Sequence, residues 1–325
     1  MTAAPVTARA GANIALVKYW GKRDLALNLP AAGSVSITLD GLETESRLVA
    51  DAALNQDELS LNGRPADAER IGRVLDLMRE LAGGGPFCRV ESRNNFPTGA
   101  GLASSASAFA ALVVAAARLF GLDLPHDRLS ELARRGSGSA ARSIFGGFVE
   151  MHSGMQADGS DCVAAPLLAA DEWPLEVVVA ITDSGAKKVG STDGMLRTMD
   201  TSPYYRSWVD SVAEDVAAAG RAIAGRDFEQ LAEVSESSAL KMHASVLAAR
   251  PGLIYWNGAS VSCMHCVRAL REQGIGVFFT IDAGPQIKAI CEPGNAARVG
   301  AELESVPGVE NVLYTGLGEG ARVIS

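Results

Sequence analysis

The sequence predicts an α+β protein of two domains. A length of 325 residues suits roughly two domains of ordinary size. The first half alternates short β-type stretches with a few helical ones, and the second half runs a block of helices into further strands. Strands gathered before and after such a block point to α+β, not to a doubly wound parallel sheet. Hydrophobic residues at 48% and charged residues at 21% describe a chain that buries a sizeable core.

In chain order, β-type patterns occupy residues 6–20, 34–39, 43–49 and 87–92. Between them, residues 67–83 place Ile71, Val74, Leu75, Leu77 and Met78 on a helical stripe that ends at Gly83. A helix over 103–120 is closed by Gly121, a shorter one covers 126–135, and 146–154 returns to a strand. An extended run at 175–184 leads into a glycine-dotted loop, 185–194. Helices at 207–224, 228–249 and 261–272 follow, then strands at 276–282 and 312–314. The break falls near 184–190, dividing the chain into residues 1–186 and 187–325.

The formal net charge of −9 argues against non-specific attraction to nucleic acid or anionic membranes, though a local basic pocket can sit in an acidic surface. The first residues lack a basic start followed by an apolar core, so no signal peptide is expected. The longest apolar stretch, 106–120, contains Ser107 and Arg118 and falls short of the roughly 20 residues of a membrane span. Five scattered cysteines read as reduced thiols of a cytoplasmic protein. Cys263 and Cys266 lack a second Cys/His pair at zinc spacing and lie in a helical pattern, which favours a buried helix face. No strained Gly-x-Ser-x-Gly turn suggests a serine hydrolase.

Four stretches carry candidate chemistry. In 95-NFPTGAGLASSASAFAALVVAAARLFGL-122, Gly99, Ala100 and Gly101 precede Ser104, Ser105 and a helix. Small residues before a helix N-terminus let amides close around a phosphate, and the hydroxyls can bond its oxygens or a bound Mg²⁺. A tight loop with a Ser N-cap fits the same residues. In 12-ANIALVKYWGKRD-24, Lys18, Lys22 and Arg23 beside Tyr19 and Trp20 form either a phosphate-gripping strand end or a solvated basic edge. In 134-RRGSGSAARSIFGGFVE-150, a Gly–Ser–Gly–Ser turn offers amides and hydroxyls to an anion, and Arg142 can fork onto a carboxylate. In 279-FTIDAGPQIKAI-290, Asp282 ends an apolar strand before a tight turn, as a catalytic carboxylate or a turn cap would.

The stretch PTGAGLASSAS resembles the phosphate-binding motif of the GHMP kinase superfamily. The longer NNFPTGAGLASSASAFAAL, together with the other three stretches in the same order, resembles its mevalonate diphosphate decarboxylase branch. The resemblance implies a two-domain GHMP fold, ribosomal-protein-S5-domain-2-like then ferredoxin-like, with the site between them. On this reading the first unit binds nucleotide and substrate, and the second supplies the catalytic Asp. It implies ATP, with Mg²⁺, on Gly99, Ala100, Gly101, Leu102, Ala103, Ser104 and Ser105, with Asn13 on the nucleotide side and Ser105 as a metal ligand. It implies substrate contacts from Tyr19, Trp20, Gly21, Lys22, Arg70, Ser137, Gly138, Ser139, Ala140, Ala141, Arg142 and Thr192. Asp282, Lys18 and Arg142 would be catalytic.

Family sequences often carry Cys where Ala141 stands. The loop at 186–195 is one residue short against relatives, which leaves open whether Lys187 or Lys188 reaches ATP. Residues 315–321 resemble a C-terminal glycine-rich motif, and a plain loop fits them as well. The implied reaction is ATP-dependent decarboxylation of (R)-5-diphosphomevalonate to isopentenyl diphosphate by a homodimer. The alternatives are a mevalonate 5-phosphate decarboxylase, a mevalonate-type 3-kinase and a non-catalytic sensor of nucleotide and metabolite. Asp282 with Arg142 speaks against the kinase, and the two with Lys18 against the sensor.

Overall fold

The structure is a computed structural model and describes residues 4–96, 104–185 and 188–325. The chain opens with β1 (Val6–Val17), the short hairpin β2 (Lys22–Asp24) and β3 (Leu29–Pro30), and the long β4 (Ser34–Ala50). There follow β5 (Glu58–Leu61), β6 (Arg64–Ala66), α1 (Glu69–Leu81), β7 (Cys88–Asn94), α2 (Ser104–Leu119) and α3 (His126–Gly136). A 3₁₀ helix over Gly138–Ile144 leads to β8 (Phe148–Met151) and β9 (Ala164–Leu168). The second half contains β10 (Glu176–Ile181), α4 (Ser191–Thr201), α5 (Tyr205–Gly225), α6 (Phe228–Leu247) and α7 (Gly258–Glu272). It ends with β11 (Val277–Ile281), β12 (Ile287–Cys291), α8 (Ala296–Glu304), β13 (Asn311–Gly316) and β14 (Arg322–Val323).

The strands form a mixed sheet in the order β14-β1-β4-β7-β5-β6, with β8 and β9 branching from β4, and an antiparallel sheet in the order β11-β12-β10-β13. In the second sheet, β10, β11, β12 and β13 with their helices make the β-α-β-β-α-β arrangement of a ferredoxin-like unit. The fold is therefore the α+β, two-domain GHMP architecture. The expected break after residue 186 does not coincide with the division of the sheets. β10 already belongs to the second sheet, paired along its length with β12 and β13, and β14 returns to pair with β1.

The apolar patterns explain the layers. α1 buries Ile71, Val74, Leu75 and Met78 in a cluster with α2, α3 and the outer half of β1. A second cluster joins Ile14 and Leu16 of β1 to Val177 and Val179 of β10, Phe278 of β11 and the inner faces of α5 and α6. The two halves thus share one core. Along β1, Val6, Ala8 and Ala10 join the helix-layer cluster, whereas Ala12, Ile14 and Leu16 join the shared one. A register shift against β4 between Gly11 and Asn13 coincides with this change of partners, and a bulge redirects side chains in this way.

Helix starts follow their caps. Asp227 accepts from the Gln230 amide at α6, and Asn257 with Ser260 forms a capping box at α7. In α7, Cys263, Met264, Val267 and Leu270 are buried, as the helical pattern around Cys263 and Cys266 predicts. The loop expected at 185–194 is helical from Ser191, and the elements β2, β3, β5, β6, β9, β12, α8 and β14 go beyond the sequence pattern.

Candidate active site

A cavity of about 1080 Å³ opens where the end of β1, α1, the 3₁₀ helix, the N-terminus of α4 and the β11–β12 turn converge. At its floor, Lys18 follows β1 directly. Its backbone N–H donates to Ser238 Oγ on α6 (3.0 Å), and its Nζ donates to the Ala15 carbonyl (2.7 Å) and to Asp282 Oδ1 (2.6 Å). Asp282 follows β11, and its other oxygen lies 3.3 Å from Lys288 Nζ on β12. The Lys18 and Lys288 side chains are 1% and 0% exposed, against 22% for Asp282, so the carboxylate is the part of this trio that faces the cavity.

Burial lowers the Lys18 ammonium to about 8 against the opposing pull of Asp282. Burial alone would raise the Asp282 carboxyl, but the charges of Lys18 and then Lys288 hold it well below the usual carboxylate range. The trio is an ionised acid between two cations. Behind it, buried His243 of α6 packs on Trp256 with ring centroids 4.8 Å apart. Burial and then the Lys18 charge push His243 down to about 3, so it is neutral.

Arg142 is 2% exposed in the 3₁₀ helix, with Nη1 donating to Ser34 Oγ (2.7 Å) and Nη2 to Asn13 Oδ1 (3.1 Å). Burial lowers it to about 10, while Asp282 and then Tyr19 oppose the shift. Its Nε is buried without a partner among the described residues, a donor left over for a ligand. Asn13 was expected on the nucleotide side, but its amide is committed elsewhere. It donates to the Ser139 carbonyl (2.9 Å) and Ser143 Oγ (2.8 Å) while accepting from Arg142, so it positions the guanidinium and its helix.

The remaining wall is built for anions. Among the described residues, the cavity lining includes Lys18, Lys22, Arg70, Arg73, Arg135 and Arg142 against only Asp76 and Asp282. Burial lowers both Lys22 and Arg70, with a nearby cation adding to each. Arg70 lies 5.1 Å from the Phe109 ring centroid and donates to the Gly136 carbonyl (2.9 Å). Ser105, Ser137 and Ser139 form a hydroxyl chain, Oγ to Oγ, at 3.2 and 3.4 Å. Tyr19 Oη is buried without a partner among the described residues. A Cβ at position 138 would overlap it, so only Gly138 admits the ring there.

The first residues of α2, Ser104 and Ser105, and of α4, Ser191 and Thr192, point two helix N-termini at the same space. A smaller cavity of about 200 Å³ adjoins at Arg70, Ser104 and Ser105, with Ile71, Val90, Phe109 and Leu112 as apolar walls and Ser92 and Asn94 as polar ones.

Lys18, Tyr19, Trp20, Lys22, Arg70, Ser104, Ser105, Ser137, Gly138, Ser139, Arg142, Thr192 and Asp282 therefore line one cavity. Three expected contacts do not. Ala140 and Ala141 are turned into the apolar clusters, and Gly21, at φ +93°, packs against the Tyr205 hydroxyl. Gly99, Ala100, Gly101, Leu102, Ala103 and Lys187 lie outside the described residues, and Lys188 is exposed. Sequence reasoning missed Lys288, Ser34, His243, Arg73 and Arg135. For Lys288 the signal was a lysine inside the apolar strand 287-IKAIC-291.

A family model described as the diphosphomevalonate decarboxylase-like N-terminal domain matches residues 10–164, and one described as the mevalonate 5-diphosphate decarboxylase C-terminal domain matches 177–323. The chain is 40% identical over 304 residues to the diphosphomevalonate decarboxylase of Homo sapiens, covering 87% of this chain and 75% of the relative. It is similar to the crystal structure of mevalonate diphosphate decarboxylase from Staphylococcus aureus, with a TM-score of 0.93 at 38% identity over 100% of this chain and 99% of that one. A structure described as MDDEF in complex with MVAPP, AMPPCP and magnesium gives a TM-score of 0.91 at 38% identity over the whole of both chains.

Proposed function

The chain belongs to the diphosphomevalonate decarboxylase family, and from that premise we propose how its own residues carry the reaction. The protein uses ATP to decarboxylate (R)-5-diphosphomevalonate, giving isopentenyl diphosphate, ADP, phosphate and CO₂. The observation that carries the assignment of roles is the Lys18–Asp282–Lys288 trio sharing a cavity with Arg142.

The substrate diphosphate lies against Lys22, Arg70, Tyr19 and Ser139. The ATP phosphates meet the hydroxyls of Ser104 and Ser105, with the nucleoside end toward the adjoining smaller cavity. Asp282 accepts the hydrogen bond of the C3 hydroxyl and aims its oxygen at the γ-phosphorus. As the O–P bond forms and ADP leaves, the proton passes to the carboxylate. Phosphoryl transfer runs through a loose transition state, so the proton leaves late and a strongly ionised Asp282 suffices as its acceptor. Lys18 stabilises charge on the arriving group. The C3–O bond then breaks with phosphate, the C1–C2 electron pair becomes the new double bond, and C1 departs as CO₂. Arg142, through Nε and its remaining Nη hydrogens, keeps C1 aligned for that cleavage.

Mg²⁺ fits a site of this kind. It takes few protein ligands and rides on phosphates, and among the described residues no group of three His, Cys, Asp or Glu side chains could hold a metal, whereas the Ser105 hydroxyl stands beside the anion site. When bound, it would neutralise phosphate charge, with the Ser105 hydroxyl as the protein group that would hold it.

The first domain would end between β9 and β10. A cytoplasmic homodimer is the assembly and place we propose, supported by the family resemblance and, for the compartment, by five cysteines that are all free thiols. Among the described residues no helix is long and apolar enough to cross a membrane. The deciding experiment incubates the protein with ATP, Mg²⁺ and either 5-phosphomevalonate or 5-diphosphomevalonate, and measures ADP and CO₂ separately. Equal ADP and CO₂ with the diphosphate is expected. ADP without CO₂ would mean a kinase, and a preference for the monophosphate would overturn the substrate assignment.

A further inference from the structure

We propose that Lys288 is a positioning residue of this site, clamping the second oxygen of Asp282 from β12 while Lys18 holds the first from β1. The inference rests on the reading that Asp282 meets the acceptor hydroxyl. All five residues of β12 are buried. Ile287, Ala289 and Cys291 pack beneath α7 and α8, while Ile290 joins the core shared by the two halves. By strand alternation Lys288 lies on the Ile290 face, in surroundings that suit an aliphatic side chain. A fully buried ammonium there is costly without a counter-charge, and Asp282 Oδ2 at 3.3 Å provides one.

The two clamps are tied together. Thr280, opposite Lys288 in the β11–β12 register, donates to the Ala15 carbonyl (3.2 Å), which also accepts from Lys18 Nζ. Held at both oxygens, the carboxylate cannot swing, and its free lone pairs stay aimed into the cavity. The charge also reaches Lys18. After burial as the main cause, the Lys288 and then the Arg142 charge lower its proton affinity, with Asp282 opposing. The charged and titratable groups facing the trio are Lys18 from the end of β1, Asp282 from the β11 end, Lys288 from β12, Arg142 from the 3₁₀ helix and neutral His243 from α6.

The test is Lys288→Met in the full chain. Three readouts are compared with the parent: kcat and KM for 5-diphosphomevalonate across pH 6 to 9.5, titration of the lysine side chains by NMR, and thermal melting. The loss of one charge-assisted hydrogen bond predicts a kcat roughly tenfold to hundredfold lower, with KM changed less than about threefold. Removing a like charge displaces the Lys18 titration, and with it the alkaline limb of kcat, to higher pH. Melting should stay close to the parent's, because the desolvation cost of the buried ammonium goes with it while Asp282 keeps Lys18 as its counter-charge. A merely structural lysine would give the opposite pattern: lower melting, unchanged Lys18 titration and a kcat within about twofold, and that result overturns the clamp. Should Lys288→Met not fold, Lys288→Gln serves the same readouts, and the Lys18 titration must move in the same direction. The NMR arm needs no turnover. A parent that releases no CO₂ would sink the reaction assignment while the Lys18–Lys288 coupling is judged on its own.

Discussion

Replacing Asp282 by Asn has two consequences of calculable size, one in rate and one in stability. The amide cannot take the hydroxyl proton and cannot balance the ammonium groups at 2.6 and 3.3 Å, which are 1% and 0% exposed. Loss of a positioned proton acceptor costs about 10²- to 10⁴-fold, and kcat should fall by at least about 10³ because the Lys18 contact is disturbed as well. Breaking a buried pair from one side costs roughly 3–5 kcal/mol, a large share of the ~5–15 kcal/mol that holds a typical protein folded. The sign with pH separates this from ordinary damage. Without the carboxylate, Lys18, already lowered by burial, loses the charge that opposes that shift and falls further below the ~10.4 of the unfolded chain. The unfolded state then binds more protons around neutrality, so stability rises with pH. In the parent, Lys18 at about 8 confines that rise to the alkaline side, and the depressed Asp282 contributes stability that is lost only in acid. The deficit of the variant should therefore be largest near pH 7 and shrink toward pH 10. Calorimetric melts from pH 6 to 9.5 with single-turnover CO₂ release check both halves. A turnover within tenfold of the parent, or a deficit constant across pH, would refute the reasoning.

Other consequences follow from the same geometry. Arg142→Lys cannot span Ser34, Asn13 and a ligand at once, so kcat/KM should drop about 10²-fold and ADP should outrun CO₂; a parent-like ratio and rate would remove the carboxylate clamp. Gly138→Ala forces the Tyr19 ring from its place and should raise KM for the diphosphate roughly tenfold with less effect on kcat, which steady-state kinetics will read; unaltered constants would remove Tyr19 from the site. Because burial lowers Lys18 to about 8, arriving anionic substrate should draw a proton onto it near pH 8, with Lys22, also lowered by burial, shifting in the same direction. Calorimetric titration in two buffers of different ionisation enthalpy measures that uptake, and none would contradict the placement of these lysines.

Local chemistry was legible in the sequence wherever it follows from local pattern. The stripe of α1, the glycine stop after α2 and the strand leading to Asp282 are set by near neighbours, and described residues from each of the four motifs line the cavity. What failed to show was set by tertiary contact. Ala140 and Ala141 sit inside a motif, yet the 3₁₀ helix turns them into the core, and Asn13 is used to hold Arg142 after the register shift in β1. Ser191 starts a helix in a stretch whose glycines predict a loop, because α4 packs on α5 and α6. Lys288 is the sharpest case. Strand periodicity asks for an apolar residue there, and only the hairpin that brings β12 beside Asp282 explains the charge.

The electrostatics of the cavity argue for a division of labour between its cations and its one deep acid. The chain carries a net charge of −9, yet its fold has already withdrawn Lys18 and Arg142 from water and half-buried Lys22, and burial is the leading cause of the lowered proton affinity of each. Folding has met that desolvation cost in advance, so incoming phosphates face fixed charges that need not reorganise. Asp282 is held ionised by its two lysines and is therefore a weak keeper of protons. Under the proposed mechanism this suits both halves of the reaction. A proton taken from the C3 hydroxyl is readily surrendered to the more basic departing phosphate, and the carboxylate is then negative again as positive charge develops on C3. A more basic aspartate would accept the first proton more willingly and would be neutral when the second step needs its charge.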